Sequence, residues 1–589
     1  MLVAVTTRLQ QEFDAATSSE DDQVAMGELR HPGCVLAYMD DCTITVPVYL
    51  ANRVAVELDG IFQTAGLVLN VQKCSFVGPR AAEIENPVFE CNPLGEVVLG
   101  SPTGSFAFRE EQCQSMVEDM TACLPTLVRM KVDPAIGINL IRYCINPRAS
   151  YLARVQDVEA IPALHQFDVA VDIAICRVAE HTPRLTDEEE DNGHRPITIA
   201  ATVRGLPLHH GGLGIQRHSG ISGQVGCLRS RSLTAAFVEE HLSEAGRFGQ
   251  AVASWPAMAI GAGHADEDPS QDQGAAVNLR DRAEAAYLAM ASDLHNFLLT
   301  TDGMQSHASW FLSSRFEGSG RWISPPVGLY LPPNMVLCGE QYRQALRARL
   351  LLHLLEEQLT LQPELSVNCH CHREGQVDNQ QQAHPHMLTI AEPFHCLDGC
   401  RNKGLVDGRH DAVVQVIEDF IRKRFTGVNI VKEPLVQTHP DVQQQVRADM
   451  LVSLPQTVGR HFIIDVTISN PAAPIYRAAG VRSHQVPQAT NLRRDRDKTA
   501  HYHELSCPDI TRFHPQRYYT FNIEATGRLG QAACAFVGEL YSASGRFWEL
   551  QATIGPSPLQ ALIRDINRVI AKFNALVMLF HKRNAAIAY

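Results

Sequence analysis

The spacing of apolar residues changes several times along the chain, and each change predicts an element. Residues 1–110 alternate strand-like and helix-like patterns. Over 111–180 apolar positions recur at three- and four-residue intervals, which predicts a mostly helical region. A polar stretch over 181–225 includes HHGGLGI (209–215), whose glycines predict a structural turn. It lacks the lysine and the strand–turn–helix frame of a phosphate loop. Residues 253–276 mix Gly, Pro, Asp and Ser and read as a linker. EQYRQALRARLLLHLLEEQLTL (340–361) is strongly amphipathic and predicts a helix. A cysteine- and histidine-rich segment follows. From 411 to 541 the pattern predicts a compact α/β unit, its first helix opening near Arg409–His410–Asp411 and its first strand formed by VNIVKEPLV (428–436), and PLQALIRDINRVIAKFNALVMLFHKR (558–583) predicts a closing helix. No internal repeat is found.

Size and composition set outer bounds. With 589 residues and 45% hydrophobic content, two to four ordinary domains are expected. No apolar run approaches the roughly 18 residues of a membrane span. The first residues carry no basic leader, so no secretory signal is expected, and the sixteen scattered cysteines read as thiols and metal ligands rather than a disulfide framework. The net charge of -14 argues against a protein that coats nucleic acid with its whole surface. Acidic clusters at 18–22 and 186–192 read as solvated loops, while basic clusters at 422–424 and 493–498 leave room for a local basic groove.

Three groups of residues carry candidate chemistry. In CVLAYMDDCTITVP (34–47) β-branched residues flank Asp40 and Asp41, which predicts a strand, a tight turn and a second strand. Two adjacent carboxylates repel unless a cation lies between them, and oxygen donors suit Mg²⁺; the alternative is a surface turn with two solvated aspartates. In the second group, Cys369 and Cys371 form one close pair, and His395 and Cys400 another. Two such pairs across a loop build a tetrahedral zinc site, with His372, His384, His386 and Cys396 as alternates. In the third, Asp449 and Asp465 fall on successive predicted strands. Antiparallel pairing would bring both to one edge, where they would bind a divalent cation. Thr467 stands two residues after Asp465, and the next lysine is Lys498, on the following predicted helix with Tyr502 one turn on.

Taken in order, these segments resemble a known family. Tyr38-Met39-Asp40-Asp41 is similar to the YxDD box of reverse transcriptases. GLVLNVQKC (66–74) resembles the GLxLNxxKC segment of non-LTR retrotransposon reverse transcriptases, with a helical pattern between the two. VVLGSPTGS (97–105), RYCINPRASYLAR (142–154) and LPLHHGGLGI (206–215) resemble segments downstream of the palm. The Cys/His pairs resemble the knuckle between polymerase and nuclease in site-specific elements, though the first pair is tighter and the loop longer. The α-β-β-β-α-β order from 411 resembles PD-(D/E)xK restriction-like nucleases. Retrotransposon nucleases of this kind carry their lysine on the helix after the second acid, followed by a tyrosine. RADM, with Ala448, replaces the usual RPD.

The resemblance implies an α+β multidomain chain. Its parts are a partial reverse-transcriptase palm (1–110), a helical thumb-like region (111–252), a linker with helices (253–365), a zinc knuckle (366–410), a restriction-like endonuclease (411–548) and a C-terminal helix (549–589). Implied catalytic residues are Asp449, Asp465, Lys498 and Tyr502, with Asp40 and Asp41 in the palm. Tyr38, Lys73, Arg447, Arg493 and Arg494 are expected to meet nucleic acid. Glu418 is expected to orient the metal shell or Lys498, and Glu524 to face solvent from its strand. Mg²⁺ or Mn²⁺ is expected on the acids and Zn²⁺ on Cys369, Cys371, His395 and Cys400. The implied function is DNA nicking, the freed 3′-hydroxyl priming reverse transcription of the element's RNA in the nucleus. Target DNA and element RNA are the expected partners, with self-association or association with a full-length element protein. Only 37 residues precede Tyr38, so the chain is expected to begin inside the palm, without the third carboxylate and glycine motif a polymerase needs. The alternative expectation is a catalytically decayed, nucleic-acid-binding remnant.

Overall fold

A computed structural model describes residues 34–38, 41–45, 48–64, 66–129, 132–156, 162–180, 199–223, 226–227, 230, 279–323, 331–352, 367–369, 386–388, 394–397, 403–438, 445–454, 461–478, 480–504, 518–545 and 557–587. The chain forms two compact units, Met1–Met120 with Tyr151–Phe167, and Thr121–Ser150 with Asp168–Tyr589.

In the first unit, β1 (Cys34–Tyr38) and β2 (Asp41–Thr45) form an antiparallel hairpin, with Tyr38 opposite Asp41 at its tip. Helix α1 (Ala51–Thr64) buries Ala51, Ala55 and Leu58, whose spacing of four and three marks one helical face. A parallel pair, β3 (Ser75–Val77) and β4 (Glu90–Asn92), precedes a second hairpin, β5 (Gly95–Val98) and β6 (Ser101–Gly104). Its two-residue turn needs left-handed backbone at both positions, and Leu99 and Gly100 adopt φ of 50° and 75°. Glycine does so freely; leucine does so at a cost. The hydroxyl of Tyr151 donates to the Leu99 carbonyl at 2.8 Å and fixes that conformation. Helix α2 spans Phe106–Thr121.

Helices α3 (Leu124–Arg129), α4 (Pro134–Leu140), α5 (Ala149–Val155) and α6 (Pro162–Val178) bear out the periodicity over 111–180, while α7 (Ile199–Gly205), with Ala200 and Val203 buried, replaces part of the polar loop expected over 181–225. HHGGLGI forms a turn, with Gly211 and Gly214 at φ of 93° and 64°. The buried Arg349 guanidinium holds it, donating to the carbonyls of Leu208 (2.7 Å) and Gly212 (3.0 Å). Two helices, α8 (Leu279–Thr300) and α9 (Gln305–Ser314), precede α10 (Gly339–Arg349). The helix expected over 340–361 therefore ends early among the described residues, where Leu351 turns to a φ of 60°. Residues 353–366 lie outside the described residues.

A short antiparallel ribbon, β7 (Val367–Cys369) with β8 (His386–Leu388), is followed by the α/β region. Helix α11 (Lys403–Arg424) leads to β9 (Asn429–Lys432), β10 (Leu435–Thr438), β11 (Gln445–Arg447), β12 (Met450–Ser453) and β13 (His461–Ser469). Then come α12 (Pro474–Arg477), α13 (Ala489–Glu504), β14 (Tyr518–Glu524), α14 (Gln531–Ala543) and α15 (Pro558–Ile587). The main sheet has the order β14-β13-β12-β9, with β13 and β14 parallel and the other pairs antiparallel.

Three expectations change here. Helix α11 opens at Lys403, not near Arg409. A Cβ on Gly408 would meet Phe573 of α15 at 3.2 Å, so this helical glycine permits a close helix approach. VNIVKEPLV is two strands, because Glu433 takes a φ of 47° and Pro434 offers no N–H to the ladder. Its second half pairs with β11 in a separate ribbon, which the expected α-β-β-β-α-β order lacked.

Strand alternation gives the main sheet two different faces. Ile430, Met450, Val452, Phe462, Ile464, Val466, Phe521 and Ile523 join one core with residues of α11, α14 and α15. Phe536 of α14 lies 5.5–6.1 Å from the rings of Phe462, Tyr519 and Phe521. Helix α15, set apart as a separate piece by the sequence division, supplies Leu562, Ile566, Val569 and Ile570 to this same core. The intervening positions, Asp465, Thr520 and Asn522 among them, fall on the other face, against which α13 lies. Among the described residues no helix is long and apolar enough to cross a membrane.

Candidate active site

The register of β12 and β13 pairs Met450 with Ile464 and Leu451 with Ile463. One step further along that ladder sets Asp449 opposite Asp465. Asp449 closes the strand end twice: its N–H donates to the Ile464 carbonyl (3.1 Å), and its Oδ2 accepts from the Val466 N–H (2.5 Å). The fifteen-residue separation read from the sequence thus becomes two carboxyls side by side.

Asp465 is buried. Burial pushes its carboxyl above the usual carboxylate range, Lys498 pulls it down, and the charge and hydrogen bond of Asp449 push it up again. A shared proton is one way for such a pair to avoid repulsion; a divalent cation is the other. All the donors are oxygens, which suits Mg²⁺ or Mn²⁺. Asp449 retains 20% of its side-chain exposure, so the pair opens to solvent.

The cation missing from Thr467 arrives from α13. The Nζ of Lys498 lies 2.6 Å from Asp465 Oδ2. Asp495, one turn earlier, ties the helix to β14 by accepting from the hydroxyl of Thr520 and the amide of Asn522. Thr520 is itself the register partner of Asp465. The hydroxyl of Tyr518 also reaches Asp465 Oδ2, at 3.4 Å.

Sequence reasoning missed His410. From α11 its Nε2 lies 3.4 Å from Asp449 Oδ2 and 3.2 Å from the Val466 carbonyl, and its Nδ1 3.3 Å from Asp411 Oδ1. Every one of these partners is an acceptor, so the ring needs both protons. The hydrogen bond to Asp449, chiefly, raises its pKa to about 9 against the opposing effect of burial. Arg409-His410-Asp411 had signalled only a helix start; no spacing rule shows that this helical position reaches β13.

Other expected residues divide. Arg447 is exposed and donates to the Glu433 carbonyl at 3.0 Å. Arg493 is exposed and pairs with Asp497 at 2.9 Å. Arg494 is turned inward, its Nε 3.4 Å from Ser469 Oγ and its guanidinium 5.5 Å from the Tyr476 ring centre. Tyr502 belongs to α13, but its side chain lies outside the described residues. Two role assignments are corrected. Glu418 pairs with Arg422 (2.8 Å) and Lys432 (2.7 Å), not with Lys498. Glu524 is 1% exposed instead of solvent-facing, and accepts from Ser313 Oγ of α9 at 2.5 Å.

For the expected zinc ligands, Cys369 stands opposite His386 in the β7–β8 ribbon. His395 begins a 3-10 turn, His395–Leu397. The side chains of Cys369 and His395, and all of Cys371 and Cys400, lie outside the described residues. The alternate ligand Cys396 is buried. Its turn is anchored by Arg409 to the Leu397 carbonyl (3.1 Å), by Asn470 to the Phe394 carbonyl (2.8 Å), and by Phe394 stacked 4.3 Å from Trp310. In the first unit, Lys73 is exposed; the side chains of Tyr38 and Asp41, and all of Asp40, lie outside the described residues.

Compared with protein-family models, with curated proteins and with solved structures, the chain has no match.

Proposed function

We propose that the α/β region from α11 to α15 is a divalent-metal-dependent DNA endonuclease, joined to a reverse-transcriptase-like segment and serving target-primed reverse transcription. The observation that carries this reading is Asp449 opposite Asp465, with Lys498 Nζ 2.6 Å from Asp465. Two acids and a lysine on the polar face of a mixed sheet are a set of groups that can support metal-dependent phosphodiester cleavage.

Asp449 and Asp465 are the residues that would hold Mg²⁺ or Mn²⁺. When bound, the ion polarises the scissile phosphate. Lys498 brings a second positive charge to the same place and stabilises the charge that grows on phosphate oxygens during cleavage. His410 and the Val466 N–H hold Asp449 in position from two sides. Exposed Arg447 and Arg493 are candidate phosphate contacts on the flanks.

The polymerase half of the proposal rests on the sequence resemblance, supported by the β1–β2 hairpin with Tyr38 and Asp41 at its tip. The zinc knuckle, the element RNA as partner and the nuclear location belong to the same proposal.

Incubation of the purified chain with supercoiled plasmid and Mg²⁺ tests it. The expected product is nicked circle, formed with Mg²⁺ or Mn²⁺ and suppressed by chelator, with 3′-hydroxyl ends that a polymerase extends. A folded chain that binds DNA without nicking it in either metal would point to a decayed remnant.

A further inference from the structure

Outside the carboxylate pair, the described residues hold one other convergent set of metal-ligating atoms, His209, His210 and Glu284. We infer that these three side chains form a binding site for a first-row transition-metal ion of the zinc class.

Successive histidines ordinarily point apart, but here both aim at one oxygen. Nε2 of His209 lies 3.0 Å and Nε2 of His210 2.8 Å from Oε1 of Glu284, with the rings 4.3 Å apart. An ion bonded at about 2.0–2.1 Å in tetrahedral geometry holds its ligand atoms roughly 3.3 Å apart. The two histidine–carboxylate distances need to grow by only a few tenths of an ångström to admit it, and all three ligand atoms lie within 4.8 Å of one another.

The supports are built in. The histidines end a 3-10 turn, Leu208–His210, that leaves through Gly211 in left-handed backbone. A Cβ on Gly211 would meet the Phe311 ring at 2.9 Å, so the turn is seated closely on α9. Arg349 holds the carbonyls on either side of the histidine pair. Glu284 comes from the first turns of α8.

Ligation takes each imidazole in its neutral form and the glutamate as a carboxylate, so binding is expected to release the ring protons that now face Glu284. Glu284 and His209 stay 52% and 44% exposed, which admits an ion and leaves its remaining position to water. Two imidazoles and one carboxylate suit zinc, copper or nickel over Mg²⁺, so this site and the carboxylate pair would select different metals. Filled, it clips α8 to the glycine turn.

The full chain, stripped with a chelator and held in excess Mg²⁺, is titrated with Zn²⁺ and separately with Co²⁺. Glu284→Gln and His209→Gln are the variants. Glutamine at 284 still offers an oxygen to both ring N–H groups, so it spares a hydrogen-bonded clasp while removing the anionic ligand. Each variant is expected to lose one equivalent of Zn²⁺ per chain, with affinity down more than about 100-fold, beyond the range of outer-shell changes. The wild-type-minus-variant Co²⁺ spectrum should show tetrahedral bands without a thiolate charge-transfer band, and circular dichroism should be unchanged. Equal metal content in wild type and both variants would overturn the site and leave a clasp made of hydrogen bonds. A difference spectrum with thiolate character would overturn it too, by assigning the lost ion to cysteines.

Discussion

The Nζ of Lys498 sits 2.6 Å from Oδ2 of Asp465, so a helix supplies the cation that the acid's own strand lacks. In a strand, residues two apart point to the same face, and Thr467 holds the position that a strand lysine would take. Lys498→Ala should lower metal-dependent nicking about 10²–10³-fold, the range for removing one charge-stabilising group. Lys498→Arg should retain more activity than alanine. A plasmid-nicking time course reads both, and equal rates for alanine and wild type would remove Lys498 from the chemistry.

His410 is assigned to holding Asp449, not to touching substrate. Its loss should therefore show most clearly in the metal requirement. His410→Ala should lower nicking about 10–100-fold and raise the Mg²⁺ needed for half-maximal rate, as changes behind a ligand do. Partial recovery is expected with His410→Gln, which restores one N–H donor. An unchanged Mg²⁺ dependence in the alanine variant contradicts the assignment.

Glu524 accepts from Ser313 and lies beside the buried Arg528, whose guanidinium also reaches the Leu312 carbonyl at 3.3 Å. Burial pushes the Glu524 carboxyl above its usual range, so the loss that counts is the buried acceptor of the Ser313 hydroxyl. Glu524→Ala should cost about 1–3 kcal/mol of stability, read as a shift in the urea midpoint. A loss below about 1 kcal/mol, the size of an ordinary hydrogen bond, would show that the cluster is better solvated than its burial implies.

His295 gives the chain a pH-sensitive element away from the acids. Its Nε2 lies 2.8 Å from the His484 carbonyl, and burial, chiefly, holds its pKa below the usual histidine value. A depressed value means that the unfolded chain takes up the proton first. The stability is therefore fully present above about pH 6.5 and lost as pH falls through the folded value. The difference in urea midpoint between wild type and His295→Gln should shrink between about pH 7.5 and about pH 5. A difference independent of pH contradicts the sign.

Much of this was legible because it followed local periodicity. Alternation located the strands that carry Asp449 and Asp465, and helical spacing located the helix that carries Lys498. What escaped the sequence depends on tertiary approach. His410 meets Asp449 only because α11 packs across the sheet. Glu418 looked like a metal-shell residue, yet Arg422, one turn on, and Lys432, on β9, take both its oxygens. Glu524 looked exposed because its strand ends in polar residues, while the serine that receives it lies on α9. Pro434 did carry a signal: a proline inside an apolar run argued for two strands, and a single strand was read instead. The pair His209 and His210 was read only as part of a turn, since nothing near it in the sequence points to Glu284.

The central claim is that Asp449 and Asp465 form a working metal site for phosphodiester cleavage. Its most direct measurement compares wild type with Asp465→Asn in the nicking assay at saturating Mg²⁺, with circular dichroism as the check on folding. Asparagine keeps the shape and removes the charge. The account expects nicking by wild type and a loss of at least about 100-fold in a folded variant. Equal nicking by the two proteins, or none by a folded wild type, contradicts it.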